Sequence, residues 1–499
     1  MKRNLTIRYS AGILIAMAIG ATSCKKFGDT NVSPNAALVP ATPALLTSAE
    51  TYISADAVGS FTSTVTYPVT GFYTPFFVQH WSQIQYPDNS LYPTSGVSFD
   101  SYYINPLKDL QNILDILGKK PADPFANGGN SVNQIQIARI LKAYYFSILT
   151  DRYGDVPYSK ALTGAVQVPY DKQQDIYTAL FKELTSAVSS FQTTGDPITG
   201  DIVYGGNLGR WKKFANSLRL SLALRLSKVD PTTGKAQFTA ALNDAGGIIS
   251  SNTDNFKVVF PGGTFNFPIY NLTTASVVAI SQFMADKMNG YKDPRIMAYG
   301  EVGADGTVQG FPYGLNRTDA QAYIAGKKPY SLAFAKTLKT PSSTVWIFTA
   351  AYVDLIRAEA AITYSTGENA GSLLTDAVTA SWDQWGTTKG ADGVPFSVPD
   401  YITAATAGNG GSLLKTIQEQ EWIALFGSEQ NAFNEWRRTG IPVLTPAKDA
   451  TNPTKQIPRR FPYGSTEAST NGAAYSAAVA AIPYGGADNE VSRVWWDKP

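Results

Sequence analysis

Apolar residues recur at helical spacing through much of the chain. Ile137, Ile140, Leu141, Tyr144, Ile148 and Leu149 fall on one face of a helix predicted over about 132–150. Ile176, Leu180, Phe181, Leu184 and Val188 predict a second helix, with Asp171 placed to cap it. Leu218, Leu222 and Leu226 mark a third over about 211–228, and Val353, Ile356, Arg357 and Ala360 lie in a fourth near 345–364. Leu413, Leu414, Ile417, Trp422 and Leu425 predict a fifth over about 411–426, with a short one following to Arg438. Weaker patterns cover 105–117 and 276–290. Helix–turn–helix pairs are therefore expected at 132–192, 211–245 and 347–438, of tetratricopeptide-like length but without a clean repeat of about 34 residues. Between them, 60–103, 250–275, 295–345 and 440–499 read as long loops with short strand-like runs such as Phe256 to Phe260. Long structured loops are often functional.

The first residues follow a different pattern. Lys2, Arg3 and Arg8 precede an apolar run from Ala11 to Ala21, and the small residues Ala21, Thr22 and Ser23 lead into Cys24. That order predicts an export signal over 1–23, and the run is too short for a spanning helix, which needs roughly 20 residues. Cys24 is the single cysteine and stands where a lipoprotein peptidase would leave it as the first residue, free to carry a lipid thioether. Ala21 replaces the usual Leu three residues earlier, so the motif is degenerate. Acyl chains would hold the protein to a membrane at roughly 0.8 kcal/mol per buried methylene. Residues 24–43, polar and broken by Pro34, Pro40 and Pro43, predict a tether.

Composition narrows the chemistry. The 41 basic residues fall to 38 once Lys2, Arg3 and Arg8 are removed, against 39 acids, so the processed chain carries −1. No basic run of five exists, which argues against nucleic acid as a partner. A lone cysteine allows no internal disulfide, so stability must come from a hydrophobic core. His80 is the only histidine, which leaves a His-ligated zinc site or a Ser-His-Asp triad short of parts. A pair of carboxylates for glycoside hydrolysis is permitted by 39 acids, but nothing singles one out.

Aromatic residues are the strongest compositional signal, with 27 Tyr, 24 Phe and 9 Trp. Segment 67–103 holds eleven of them, interleaved with Gln79, Gln83, Gln85, Asp88 and Asn89. A second cluster, Phe265, Asn266, Phe267, Tyr270 and Asn271, follows a Pro-Gly-Gly turn, and a third is Phe311, Tyr313, Asn316 and Arg317. Sugar rings present flat C–H faces that dock on aromatic rings, while amides bond the hydroxyls. Trp81, Tyr86, Tyr270 and Tyr313 are the candidate ring platforms, with Asn266 and Asn271 as polar partners. Arg152 and Asp155 read as a helix-end ion pair.

Longer runs carry a family resemblance. They are Cys-Lys-Lys-Phe and Asp-Thr-Asn-Val-Ser-Pro-Asn within 24–35, Leu-Leu-Thr-Ser-Ala-Glu at 45–50, and Ala-Tyr-Tyr-Phe-Ser-Ile-Leu-Thr-Asp-Arg-Tyr-Gly-Asp-Val-Pro-Tyr at 143–158. Asp293-Pro294-Arg295, Leu355 to Ala360, Glu435 to Gly440, Ile457 to Arg460 and Val494 to Asp497 continue the series. In this order the chain resembles the SusD/RagB-like nutrient-binding lipoproteins of Bacteroidetes outer membranes, in a divergent branch. The resemblance implies a mainly α fold: tetratricopeptide-like helix pairs as scaffold, a loop-rich ligand-binding second half and a few short strands. It implies a single domain over 44–499, with scaffold roughly at 44–245 and 345–440, ligand loops at 60–103 and 250–345, and C-terminal loops at 440–499. Trp436, Arg437, Arg438, Arg459, Arg460, Trp495 and Trp496 match the family's signature positions, which implies structural stacks that lock the C-terminal loops onto helices and not a ligand site. It further implies a non-enzymatic, cell-surface protein that captures glycan or peptide and delivers it to a SusC-type TonB-dependent transporter, with no cofactor. A structural calcium ion in a loop is left open. The rival readings are a scaffold lipoprotein that docks only protein partners, and a glycan hydrolase.

Overall fold

Helix caps and buried stripes set out the scaffold. The computed structural model describes residues 41–58, 73–93, 98–119, 127–165, 167–270, 277–390 and 393–499. The predicted signal, Cys24 and most of the tether lie outside these residues. The chain is mainly α, and Thr42–Pro499 forms one compact unit. Helix α1 (Thr42–Val58) packs against α2 (Pro106–Leu117), which packs in turn on α3 (Ser131–Tyr153). Asn130 starts α3 by accepting from Asn133 N at 3.0 Å, and Gly154, at φ 85°, stops it in a conformation that favours glycine. The predicted face of α3 is buried, but so are Tyr145, Phe146 and Tyr153 on its other sides, so the helix runs through the core.

Helix pairs follow in order. α3 packs on α4 (Gln173–Ser190), α5 (Leu208–Arg225) on α6 (Pro231–Leu242), and α9 (Ala350–Thr363) on α10 (Ala370–Gln384). Between the last two pairs lie α7 (Gln282–Tyr291) and α8 (Arg317–Ala325); after them come α11 (Val398–Gly408), α12 (Leu413–Ala424) and α13 (Glu429–Thr439). Asp171 does not cap α4. Asp155 Oδ1 accepts from Gln173 N at 2.8 Å, while the Asp171 carboxylate takes Tyr158 N and Ser159 N, each at 2.9 Å. The expected Arg152–Asp155 pair is likewise corrected. Arg152 is buried and reaches Gln430 Oε1 and the Tyr102 hydroxyl, each at 2.5 Å.

Two small antiparallel sheets occupy the loop-rich regions. β1 (Trp81–Gln83) pairs with β3 (Val278–Ile280), matching Trp81 to Ile280. β2 (Phe256–Val259) pairs with β4 (Thr344–Phe348), with a register shift between Phe256 and Lys257. The predicted strand run at Phe256 is thus β2, and the start of the expected helix near 345 is strand β4 instead. The C-terminal loops are held by stacked arginines, as expected. The Arg437 guanidinium lies 4.2 Å from the Phe433 ring centroid and 4.6 Å from Trp496. Arg459 pairs with Asp497 at 2.6 Å, and Arg460 with Asp488 at 2.8 Å.

Candidate functional site: an exposed tyrosine on an arginine

β1 delivers the chain from core to surface within a few residues. Trp81, Ser82 and Gln83 are buried, and Ile84 closes a small cluster with Ala279, Phe311 and Ala320. Ala320 belongs to α8, so this cluster seats that helix beside the end of β1. The next two side chains, Gln85 and Tyr86, face solvent, with Tyr86 55% exposed. The loop beyond is fixed from within: Asn89 N donates to Gln83 Oε1 at 2.8 Å and Gln83 N to Ser90 Oγ at 3.0 Å.

α8 supplies the other half of the site. Asn316 caps it by accepting from Asp319 N at 2.9 Å, and Asp449 anchors Asn316 through its backbone N at 3.0 Å and its Nδ2 at 2.9 Å. The Arg317 guanidinium then lies 4.4 Å from the Tyr86 ring centroid. A cation stacked on one face restrains the ring and draws on its quadrupole, while much of the ring stays in solvent. A cleft of about 240 Å³ opens beside it, lined by Gln85, Tyr86, Gln321, Ile324 and Ala325. Ring face, primary amides and a short apolar wall form a surface that can stack a sugar ring and bond its hydroxyls, with no carboxylate in its lining.

The other candidates lie elsewhere. Trp81 is corrected: its indole is fully buried among Phe76, Phe334 and Phe426, so no face is offered to a ligand. Tyr313 is half-buried and its hydroxyl is committed, donating to Phe76 O at 2.6 Å and lying 3.2 Å from the Tyr92 hydroxyl. That phenol ties two loops together and is corrected from platform to structural link. Gln79 and Gln83 are also committed, the former donating to Thr445 O at 2.6 Å. Phe265, on the Gly262–Phe265 bridge, is 57% exposed, and Tyr270 is half-buried after Phe267, whose N donates to Pro341 O at 2.9 Å. Asn266 is half-buried and its Oδ1 has no donor among the described residues. Asn271 and Cys24 lie outside the described residues. The Arg317 stack under Tyr86 and the wall of Gln321 and Ile324 escaped sequence reasoning, because α8 alone reads as a short polar helix.

His80 is a core residue. Its Nδ1 lies 2.5 Å from Glu429 Oε2, both side chains being fully buried, and its ring packs against Trp422 and Phe426. A dense cluster of charges is also internal: Arg438 pairs with Glu359 and Glu435 at 2.6 and 2.7 Å and approaches Glu421 at 3.4 Å. Burial and the Glu359 charge push the Glu421 carboxyl well above its usual range. Burial alone would push Glu359 up too, but Arg438 overrides it and holds that carboxyl low. Among the described residues no group of three or more His, Cys, Asp or Glu could hold a metal ion, and no helix is long and apolar enough to cross a membrane.

Comparison with known proteins follows the same outline. The family model SusD-like_2, described as "Starch-binding associating with outer membrane", matches residues 35–464. Among solved structures, a chitin-binding protein is 27% identical with a TM-score of 0.74, covering 92% of this chain and 100% of its own. A SusD homologue from Bacteroides uniformis is 25% identical, with a TM-score of 0.74 and coverage of 91% and 99%. A chitin-binding SusD homologue from Flavobacterium johnsoniae, at 23% identity, has a TM-score of 0.72 and coverage of 91% and 98%. No curated protein matches the sequence. With the family model matching residues 35–464 and a SusD homologue's fold covering 91% of its length, the chain belongs to the SusD-like family.

Proposed function

We propose that this protein is a cell-surface glycan-binding lipoprotein that captures an oligosaccharide and delivers it to a TonB-dependent outer-membrane transporter. The observation that carries the reading is the Tyr86 ring, solvent-exposed, stacked on Arg317 and flanked by Gln85 and Gln321. A rigid exposed ring beside amides and a short apolar wall suits a neutral sugar, whose C–H face and hydroxyls ask for those partners. A chitin-binding relative at 27% identity favours chitin-type saccharides among the candidates. The family's association with the outer membrane supports the place, and Cys24 is the residue that would carry the lipid. Binding is reversible and breaks no bond.

Calorimetry with chitin and starch oligosaccharides and a peptide panel tests this reading. A saccharide should bind, and Tyr86→Ala should weaken it about tenfold or more, equivalent to roughly 1.4 kcal/mol, with an unchanged melting curve. A peptide ligand in place of saccharides would redirect the cargo. Binding of neither, with a transporter still copurifying, would favour the docking scaffold, and release of reducing sugar would favour a hydrolase. Mass measurement of the N-terminal peptide tests acylation of Cys24.

A further inference from the structure

A second cleft, of about 300 Å³, shares no lining residue with the Tyr86 site. Its walls are mostly apolar: Phe99, Tyr103, Ile104 and Leu162 line it, and Ile104 is 70% exposed at its edge. Glu467 and Asn471 add acceptors to the lining. Glu467 is buried, and its Oε2 accepts from the Tyr170 hydroxyl. Asn471 spends its Nδ2 on Val168 O at 2.8 Å, and its Oδ1 is buried with no donor. Asn471 also stands at the N-cap of the helix Gly472–Ala480, where an amide oxygen ordinarily accepts from the first turn, yet it makes no such bond. A buried acceptor without a donor costs free energy, so this part of the wall is polar and unsatisfied.

The charged residues lining this cleft have one sign. Asp100 joins Glu467 in the lining, and no Lys or Arg lines it. Burial, then Glu467, Asp171 and Asp100, push the Tyr103 phenol well above its ordinary range, so that hydroxyl keeps its proton, donating to Pro157 O at 2.5 Å. Acceptors, carboxylates and rings disfavour anions and attract cationic donors. An ammonium group would meet the Glu467 and Asp100 charges and set its carbon body against Phe99, Tyr103 and Ile104.

We propose that this cleft is a second ligand site, for a protonated amine carried on an apolar or ring-shaped body, such as an amino sugar or an alkylamine. The inference does not rest on the Tyr86 reading. Calorimetry on the full chain uses two matched pairs: cyclohexylamine against cyclohexanol, and glucosamine against N-acetylglucosamine. At least one amine should bind about tenfold or more tighter than its neutral partner, and the pair that does so identifies the source. Ile104→Trp fills the mouth from an exposed position and should abolish binding without shifting the melting curve. Asp100→Asn should weaken it by about tenfold, and Tyr86→Ala should leave it intact. Equal binding of amine and neutral partner in both pairs, or undiminished binding by Ile104→Trp, overturns the inference. Loss of amine binding in Tyr86→Ala does so as well, by placing the amine in the other cleft.

Discussion

Trp81 and Tyr86 sit at either end of one short crossing from core to surface. Removing the Trp81 indole would leave a void between Phe76, Phe334 and Phe426, and the expected cost of Trp81→Ala is roughly 3–5 kcal/mol, read from denaturant midpoints. Tyr86→Ala removes a ring that buries little and should stay within about 0.5 kcal/mol. Asp354 offers a test in pH. Burial pushes its carboxyl up to about 6, with the Asp376 and Glu368 charges adding to the rise, even though Arg357 Nη1 lies 2.5 Å away. The folded chain then holds a proton that the unfolded chain has released, so this group's contribution to stability falls as pH rises from about 4 to about 6 and is level above that. Asp354→Asn should remove that slope, on the order of 2–3 kcal/mol, in unfolding curves measured from pH 4 to pH 7. Periodicity assigns neither behaviour, since it shows that a residue is apolar or acidic and not what surrounds it.

At the scale of elements, the long helices were legible because their apolar positions recur every three to four residues. Helix α3 is predicted over about 132–150 and runs from Ser131 to Tyr153. Less legible were α1, α10 and α11, where Thr, Ser, Ala and Gly dilute the stripe. In α10, Leu373, Leu374, Ala377, Val378, Ser381 and Trp382 do form a buried face, but its polar flanks obscure the ends. Its start depends on Asn369, an exposed residue whose Oδ1 accepts from Ser372 N at 2.9 Å. Asn369→Ala should cost about 1 kcal/mol, seen as a lower midpoint in urea with an unchanged slope. The near-345 prediction ran strand and helix together because the apolar run through Val345, Ile347 and Phe348 continues into α9, and only pairing with β2 separates them.

Across the whole molecule, the chain's end closes on its middle. Trp496 Nε1 donates to Asp151 Oδ1 at 2.7 Å, and Asp497, buried, accepts from both Arg459 and Arg493. Asp497→Ala would strip two guanidinium groups that keep some solvent contact, so a loss of about 2–3 kcal/mol is expected rather than the larger cost of a fully buried break. Thermal melts of the full chain should show that loss as one cooperative shift, since the loops are stacked on α13 through Arg437 and Arg459.

The amino-acid order alone determined the helical class, the main helices and the kinship that the family model bears out, because each is carried by local periodicity or by runs of consecutive residues, and that kinship in turn implied the structural role of the C-terminal arginines. Only the tertiary structure decided which aromatic rings face solvent. Trp81 and Tyr86 look alike in a stretch crowded with rings, and their difference comes from Phe334, Phe426 and Arg317, which are more than two hundred positions away in the chain. Burial is a property of distant partners brought together by folding, and a sequence window contains none of them.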